Sequence, residues 1–429
     1  MFRKSLLLWL FLLLSLTAVS VSGAPTAAVQ LFTYKEKLLA SDKQGSAEFG
    51  TAVALSSDGK IMVVGARLQD VNGQSNQGQV YVFKRNADDT WSQAQILKAA
   101  DGAANDEFGT AVAIAGLSYT IVVGAPGDNS GTGSAYVFTY NGSVWDAGTK
   151  LPISTADPES NDARGTAVAV SSSGIYAFVG APGGGTGSPA SGAVFVMKNN
   201  GVNWSLSQTL NGPTGGKAGM GRALLLNDNS NLLFTAGLYA PSGPILDHGA
   251  VHVYQKLGVS WTYDEMLSAS DTSSNNQFGL GMAITADESV LFVGAPTKGT
   301  GRVYVFSQGV STWSEDAIIS RPAGAIYSNF GQSVALDSAG KVAAVGAWLN
   351  GSGGIFYYER SGASWLYQQT LNTFDSRQEH LGYALAMTGS GDMIIGGARS
   401  AHSGAAMDSV GAVYTYVPAQ LVYLPIIVK

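Results

Sequence analysis

The chain of 429 residues has no cysteine, four histidines and few charges; Asp, Glu, Lys and Arg together make up 13%, against about 25% in a typical globular domain. Each shortage excludes something. Without cysteine there is no disulfide framework, no thiolate nucleophile and no cysteine-ligated zinc, so stability must come from core burial. No basic cluster exists and the net charge is −6, which argues against nucleic acid and anionic membrane as partners. After the first residues no apolar run approaches the 18 or so needed to cross a bilayer. No Gly-x-Ser-x-Gly elbow stands between a strand and a helix. The Gly-rich stretch 180–192, GAPGGGTGSPASG, has no Lys and no following helix, so it is not a phosphate cradle.

The N-terminus reads as a secretory signal peptide. Arg3 and Lys4 are followed by the apolar run 6–16 and by small residues at 21–25. Cleavage is expected after Gly23, with Ser20 as the second choice and an uncleaved anchor as the alternative. A short linker would then cover 24–30. Three Asn-x-Ser sequons stand at Asn141, Asn203 and Asn350, relevant only if the host glycosylates.

What is abundant is glycine, 55 residues, and it recurs in order. EFGTAVALSSDGKIMVVGAR at 48–67 returns as EFGTAVAIAGLSYTIVVGAP at 107–126. Equivalent glycines stand at 50, 109, 165, 221, 279, 331 and 382, in steps of 51 to 59 residues. A second glycine follows after fifteen residues in six copies, and after sixteen, at Gly237, in the fourth. Each copy then has an aromatic strand such as QVYVF, and six add a tryptophan: Trp91, Trp145, Trp204, Trp261, Trp313 and Trp365. Short strands separated by turn residues give four strands per copy.

Small residues suit strands crowded round an axis, and Tyr, Phe and Trp suit diverging outer strands. The expected fold is therefore all-β: a seven-bladed β-propeller of four-stranded blades over 31–417. The seventh copy lacks its outer strand, and LFTYKEKLLAS at 31–41 matches the segment preceding the other Phe-Gly pairs. The N-terminal strand is expected to complete the last blade and remove the open edge. The apolar tail 418–429 reads either as a packed strand or as a surface-sorting segment.

These copies resemble FG-GAP repeats, the propeller blades of integrin α-chains and of many secreted microbial proteins. The resemblance rests on Phe49-Gly50, Phe108-Gly109, Phe278-Gly279 and Phe330-Gly331, with Gly-Ala-Pro at 124–126, 180–182 and 294–296. Arg164, Met220 and Leu381 stand where Phe would, and Leu238-Tyr239 replaces Ala-Pro. The resemblance implies the fold; a propeller hosts many functions.

Family members often carry calcium, but the connections between first and second strands offer at most two carboxylates here, where calcium wants six to eight oxygens. No cofactor is expected. A weak calcium site is conceivable at Asp101, Asp106 and Asp128. His248 and His252 with Asp247 lie too far apart on a strand, about 13 Å for i and i+4, to share a metal readily. Paired carboxylates meeting on a propeller face remain open.

With no converging acid–base set in the sequence, the expected function is a secreted or cell-surface, non-catalytic binding or adhesion propeller, monomeric, with a protein or carbohydrate ligand. The alternative is a secreted enzyme, for example a polysaccharide-degrading one, with its site at the channel mouth. The loops entering the first strand and leaving the second vary most between copies, so ligand is expected there. Candidate anchors are Arg67, Tyr239, Trp348 and Arg399, since exposed aromatics and Arg dominate binding surfaces. Arg67 and Arg399 hold the same position in the first and last blades, which adjoin in a closed ring, so they could hold a carboxylate or sulfate between them.

Overall fold

A computed structural model describes residues 30–153, 161–184, 191–212, 219–237, 249–271, 276–373, 375, 377–404 and 408–419. The signal segment, Tyr239 and all but the start of the apolar tail lie outside them. Seven four-stranded antiparallel sheets follow one another. Blade 1 has strands Phe49–Leu55, Ile61–Ala66, Gln79–Arg85 and Trp91–Leu97. Blades 2 to 6 repeat this order. Blade 7 takes its first three strands from Leu381–Met387, Ile394–Ala398 and Ala412–Pro418 and its fourth from Phe32–Leu38, paired from Phe32 with Pro418 to Leu38 with Val413. The ring closes as the sequence predicts. Among the described residues no helix is long and apolar enough to cross a membrane.

The second strands are buried along their whole length, as in Ile61–Ala66, or at all but their first residue, as in Tyr176–Ala181 and Val342–Ala347, because each is central in its sheet and each sheet lies between two neighbours. Outer strands alternate buried and exposed positions, as in Trp91–Leu97. Seven apolar clusters form, each joining one blade to the next; one unites Phe49, Tyr81 and Trp91 of blade 1 with Met393, Ile395 and Val413 of blade 7. No blade has a core of its own, so the repeat is stable only as a ring.

The Phe-Gly position, with Arg164, Met220 and Leu381 in place of Phe in blades 3, 4 and 7, makes the seams. The backbone of Phe108 bridges Gly78 of blade 1, while its ring packs edge-on against Tyr136 and Phe138 of blade 2. A Cβ on Gly78 would fall 2.0 Å from the Phe108 carbonyl oxygen, so only glycine admits the approach. Gly65 meets Gly109 in the same way, again 2.0 Å from a hypothetical Cβ to oxygen. Blade 4 differs. Strand register pairs Ala236, not Gly237, with Ala223, as Gly65 pairs with Ala52. The sixteen-residue interval in the fourth copy is therefore a transposed Gly-Ala and not an insertion. The Ala236 methyl occupies the space, and the inner strands of blades 4 and 5 approach each other least.

The channel is not lined by small residues alone. Counting from the Phe-Gly glycine, positions one, three, five and seven line the channel: Thr51, Val53, Leu55 and Ser57 in blade 1, Arg222, Leu224, Leu226 and Asp228 in blade 4. The bulky third and fifth positions form two apolar rings. The alanines at position two, such as Ala52, Ala111, Ala167 and Ala223, border the loop-face mouth beside them, and those at position four do not line the channel.

Candidate functional site

The loops entering first strands and leaving second strands share one face. In all seven blades the residue before the Phe-Gly position is left-handed, with φ of 56° at Glu48, 54° at Glu107 and 60° at His380. For residues other than glycine this conformation costs about 1–2 kcal/mol. It turns that side chain toward the same post-Gly-Ala position where Arg67, Trp348 and Arg399 stand.

The result is a continuous arc over blades 6, 7, 1 and 2. The Arg67 Nε donates to Glu48 at 2.7 Å and its Nη1 to Glu107 at 2.8 Å. The other Glu48 oxygen lies 3.7 Å from Arg399 Nη1. Arg67 and Arg399 are thus brought to one carboxylate, and that carboxylate belongs to the chain itself. Burial opposes the charge on Arg67, but the hydrogen bond to Glu48 and the charges of Glu48 and Glu107 outweigh it and raise its pKa. The Arg399 guanidinium stacks 4.1 Å from the Tyr383 ring centroid and 4.9 Å from that of Trp348. Trp348 also meets His380 edge-on at 4.9 Å and donates its indole N–H to Gln332 Oε1 at 3.1 Å. His380 Nδ1 lies 2.8 Å from Ser400 Oγ; burial, with the Arg399 charge beside it, lowers its pKa and keeps it neutral at pH 7. Arg67, Trp348, Tyr383 and Arg399 are all partly exposed.

Of the four anchors named from sequence, three lie on this arc, and Tyr239 falls outside the described residues. Glu48, Glu107, Tyr383 and His380 were missed. The repeated Glu-Phe-Gly of two adjacent blades was the available signal for the two carboxylates.

Asp101, Asp106 and Asp128 also gather on this face, around a lysine. Lys150 Nζ lies 2.8 Å from Asp101 and 2.5 Å from Asp128. The Tyr136 hydroxyl donates to Asp101 at 2.8 Å and lies 3.1 Å from Asp128. Burial raises the Asp101 pKa, but hydrogen bonds from Lys150 and Tyr136 outweigh this and lower it. Asp106 takes the Ala103 N–H at 2.6 Å; burial, with Asp128 nearby, raises its pKa. Among the described residues no group of three His, Cys, Asp or Glu side chains is arranged to hold a metal ion. The Tyr–Asp contact recurs in Tyr81–Asp42 and Tyr304–Asp271, at 2.7 and 2.5 Å, with the aspartate seven residues before Phe in each copy.

The FG-GAP repeat family matches residues 32–83 and 91–138, which are blade 1 with the closing strand and most of blade 2. The chain is a seven-bladed β-propeller with FG-GAP repeats in its first two blades. No curated protein matches it. Among solved structures, this FG-GAP propeller is similar to two provisionally named 6-phosphogluconolactonases. The one from Bacteroides uniformis ATCC 8492 has TM-score 0.54 and 15% identity, covering 76% of this chain and 85% of that one. The one from Bacteroides fragilis NCTC 9343 has TM-score 0.55 and 16% identity, covering 78% and 86%. At that identity the likeness concerns the fold alone.

Proposed function

We propose that this FG-GAP propeller is a secreted or cell-surface binding module, non-catalytic, that recognises a protein or glycan through the loop face of blades 6, 7, 1 and 2. The observation that carries the reading is the partly exposed stack of Trp348, Tyr383 and Arg399, held from behind by Glu48, Arg67 and Glu107. Rigid aromatic and guanidinium surface binds at low entropic cost. Since the arc's two guanidiniums and two carboxylates balance, its ligand is recognised by stacking and hydrogen bonds more than by net charge. Sugar rings and protein side chains both fit that chemistry. An extracellular location is supported by the N-terminal signal pattern and the FG-GAP repeats. The alternative, an enzyme with its site at the channel mouth, gains no support from the lactonase names of two structures at 15 and 16% identity. Glycan and protein arrays probed with the secreted form test the reading: a ligand whose binding falls on Tyr383→Ala supports it. Turnover of an array sugar or of a lactone, with no retained ligand, would favour the enzyme.

A further inference from the structure

The channel mouth on the loop face holds a charge that the arc does not use. Its cavity has a volume of about 280 Å³ and is lined by the first position in six of the seven blades, Thr51, Thr110, Thr166, Arg222, Leu280 and Gln332. That volume lies at the small end for ligand sites and suits a group the size of one sugar or one side chain. No carboxylate lines it. Every other described arginine has an ion pair, a hydrogen bond or a ring contact; the side chain of Arg222 has none of these. Strand alternation turns it to the axis, because Leu224 and Leu226, two and four residues on, belong to the apolar rings.

A second donor faces the same cavity. The indole N–H of Trp348 can only donate, so it fixes Gln332 with its oxygen toward Trp348 at 3.1 Å. The Gln332 amide nitrogen is left unpaired and available. Thr110 and Thr166 donate their hydroxyls to the backbone, at 2.8 Å each, and so offer only acceptors, which suits hydroxyls on the remainder of a ligand. Below the mouth the two apolar rings stop the ligand from passing down the channel. The opposite mouth is lined by serines and by Asp228, with no base, so the two ends differ in sign.

We infer that the loop-face mouth of the channel is a binding site for a carboxylate-bearing group of residue size, with Arg222 pairing the carboxylate and Gln332 donating beside it. The inference rests on the reading that this face binds ligand and names the chemistry taken at its centre. Bidentate guanidinium–carboxylate pairing supplies the affinity and the orientation.

The test is calorimetric titration of the full chain with sodium D-glucuronate and with N-acetyl-L-aspartate α-N-methylamide, each against its neutral counterpart, methyl D-glucoside and N-acetyl-L-asparagine α-N-methylamide. At least one acid should bind tenfold or more tightly than its counterpart, and which one tells an acidic sugar from an acidic side chain. Arg222→Gln should weaken that acid at least tenfold, Arg222→Lys should restore part of it, and Lys60→Gln, on the opposite face, should change nothing. The acid-to-neutral ratio of the unaltered protein is read without any variant, so misfolding of Arg222→Gln would not hide the answer. Equal binding of acid and neutral forms, no binding of either acid, or unchanged binding in a folded Arg222→Gln protein would overturn the proposal. These probes need no array ligand, so a failed array and a failed titration are distinguishable.

Discussion

Gln369 clasps Phe32 at both faces of its peptide. Its Nε2 donates to the Phe32 carbonyl at 2.8 Å and its Oε1 accepts the Phe32 N–H at 2.9 Å, across a sequence separation of 337. The same two-point clasp joins Gln95 to Trp145 and Gln208 to Trp261 in the body of the ring. Phe32 therefore stands where the other blades have the tryptophan that starts the outer strand, and its ring meets Tyr357 of blade 6 edge-on at 4.8 Å. Closure is held by the repeat's own contacts.

Gln369→Ala should cost about 1–3 kcal/mol, since it leaves a partly buried N–H and C=O without partners. Deleting residues 31–39 should cost far more, through aggregation or a strongly lowered melting temperature, because it bares the edge of blade 7. Urea denaturation of both variants checks this. An unchanged midpoint in the deletion would refute the closure scheme.

His252 takes the strand position that holds Tyr81, Tyr136 and Tyr304 in blades 1, 2 and 5. It is 1% exposed, and neither ring nitrogen has a partner. The aspartate that serves the tyrosines is replaced at the equivalent place by Pro213. Burial pushes the His252 pKa down to about 4 from 6.5. A depressed histidine pKa means that the unfolded chain takes up a proton first as pH falls. Stability should therefore be full above about pH 6.5 and fall between pH 6.5 and 4, by about 3 kcal/mol at the lower end. Measured by urea denaturation at pH 7 and pH 4, the unaltered protein should lose about that much more than His252→Phe. Equal losses in the two proteins would contradict a neutral, unpartnered histidine.

Lys150 gives a third check. Its ammonium neutralises the aspartates that the sequence offers to a cation, so thermal melts in excess EDTA and in millimolar calcium should coincide. Lys150→Ala should cost about 1–2 kcal/mol at pH 7, less than for a fully buried pair because Lys150 is partly exposed. The cost should shrink only as pH falls below the ordinary aspartate range, where Asp101, whose pKa is lowered, takes up its proton. A large upward shift of the unaltered protein with calcium would show that a metal displaces Lys150.

The repeat made the fold legible. Seven glycines at one spacing, and an N-terminal segment matching the missing strand, were enough for blade number and closure. Register was not legible in blade 4, because Gly237 attracts the alignment and only the pairing of Ala223 with Ala236 corrects it. The arc was half legible. Arg67, Trp348 and Arg399 break a repeated pattern and so stand out. Glu48 and Glu107 look like ordinary surface acids until the left-handed turn aims them at Arg67. Arg222 gave no signal, because what distinguishes it is the lack of a partner, which only three-dimensional placement reveals. The roles of Lys150 and Gln332 depend likewise on contacts made across the fold, 49 and 16 residues away along the chain.

The central claim is that ligand is held on the loop face by the aromatic–guanidinium stack. The most direct measurement takes the tightest ligand from a glycan or protein array and titrates it against the unaltered protein, Tyr383→Ala, Trp348→Ala and Val259→Ser. Val259 is 73% exposed at a hairpin tip on the opposite face. The account predicts that Tyr383→Ala and Trp348→Ala each weaken binding by at least 1 kcal/mol, about fivefold, while Val259→Ser leaves it unchanged. Loss of binding in Val259→Ser, with both aromatic variants binding as the unaltered protein does, would contradict it.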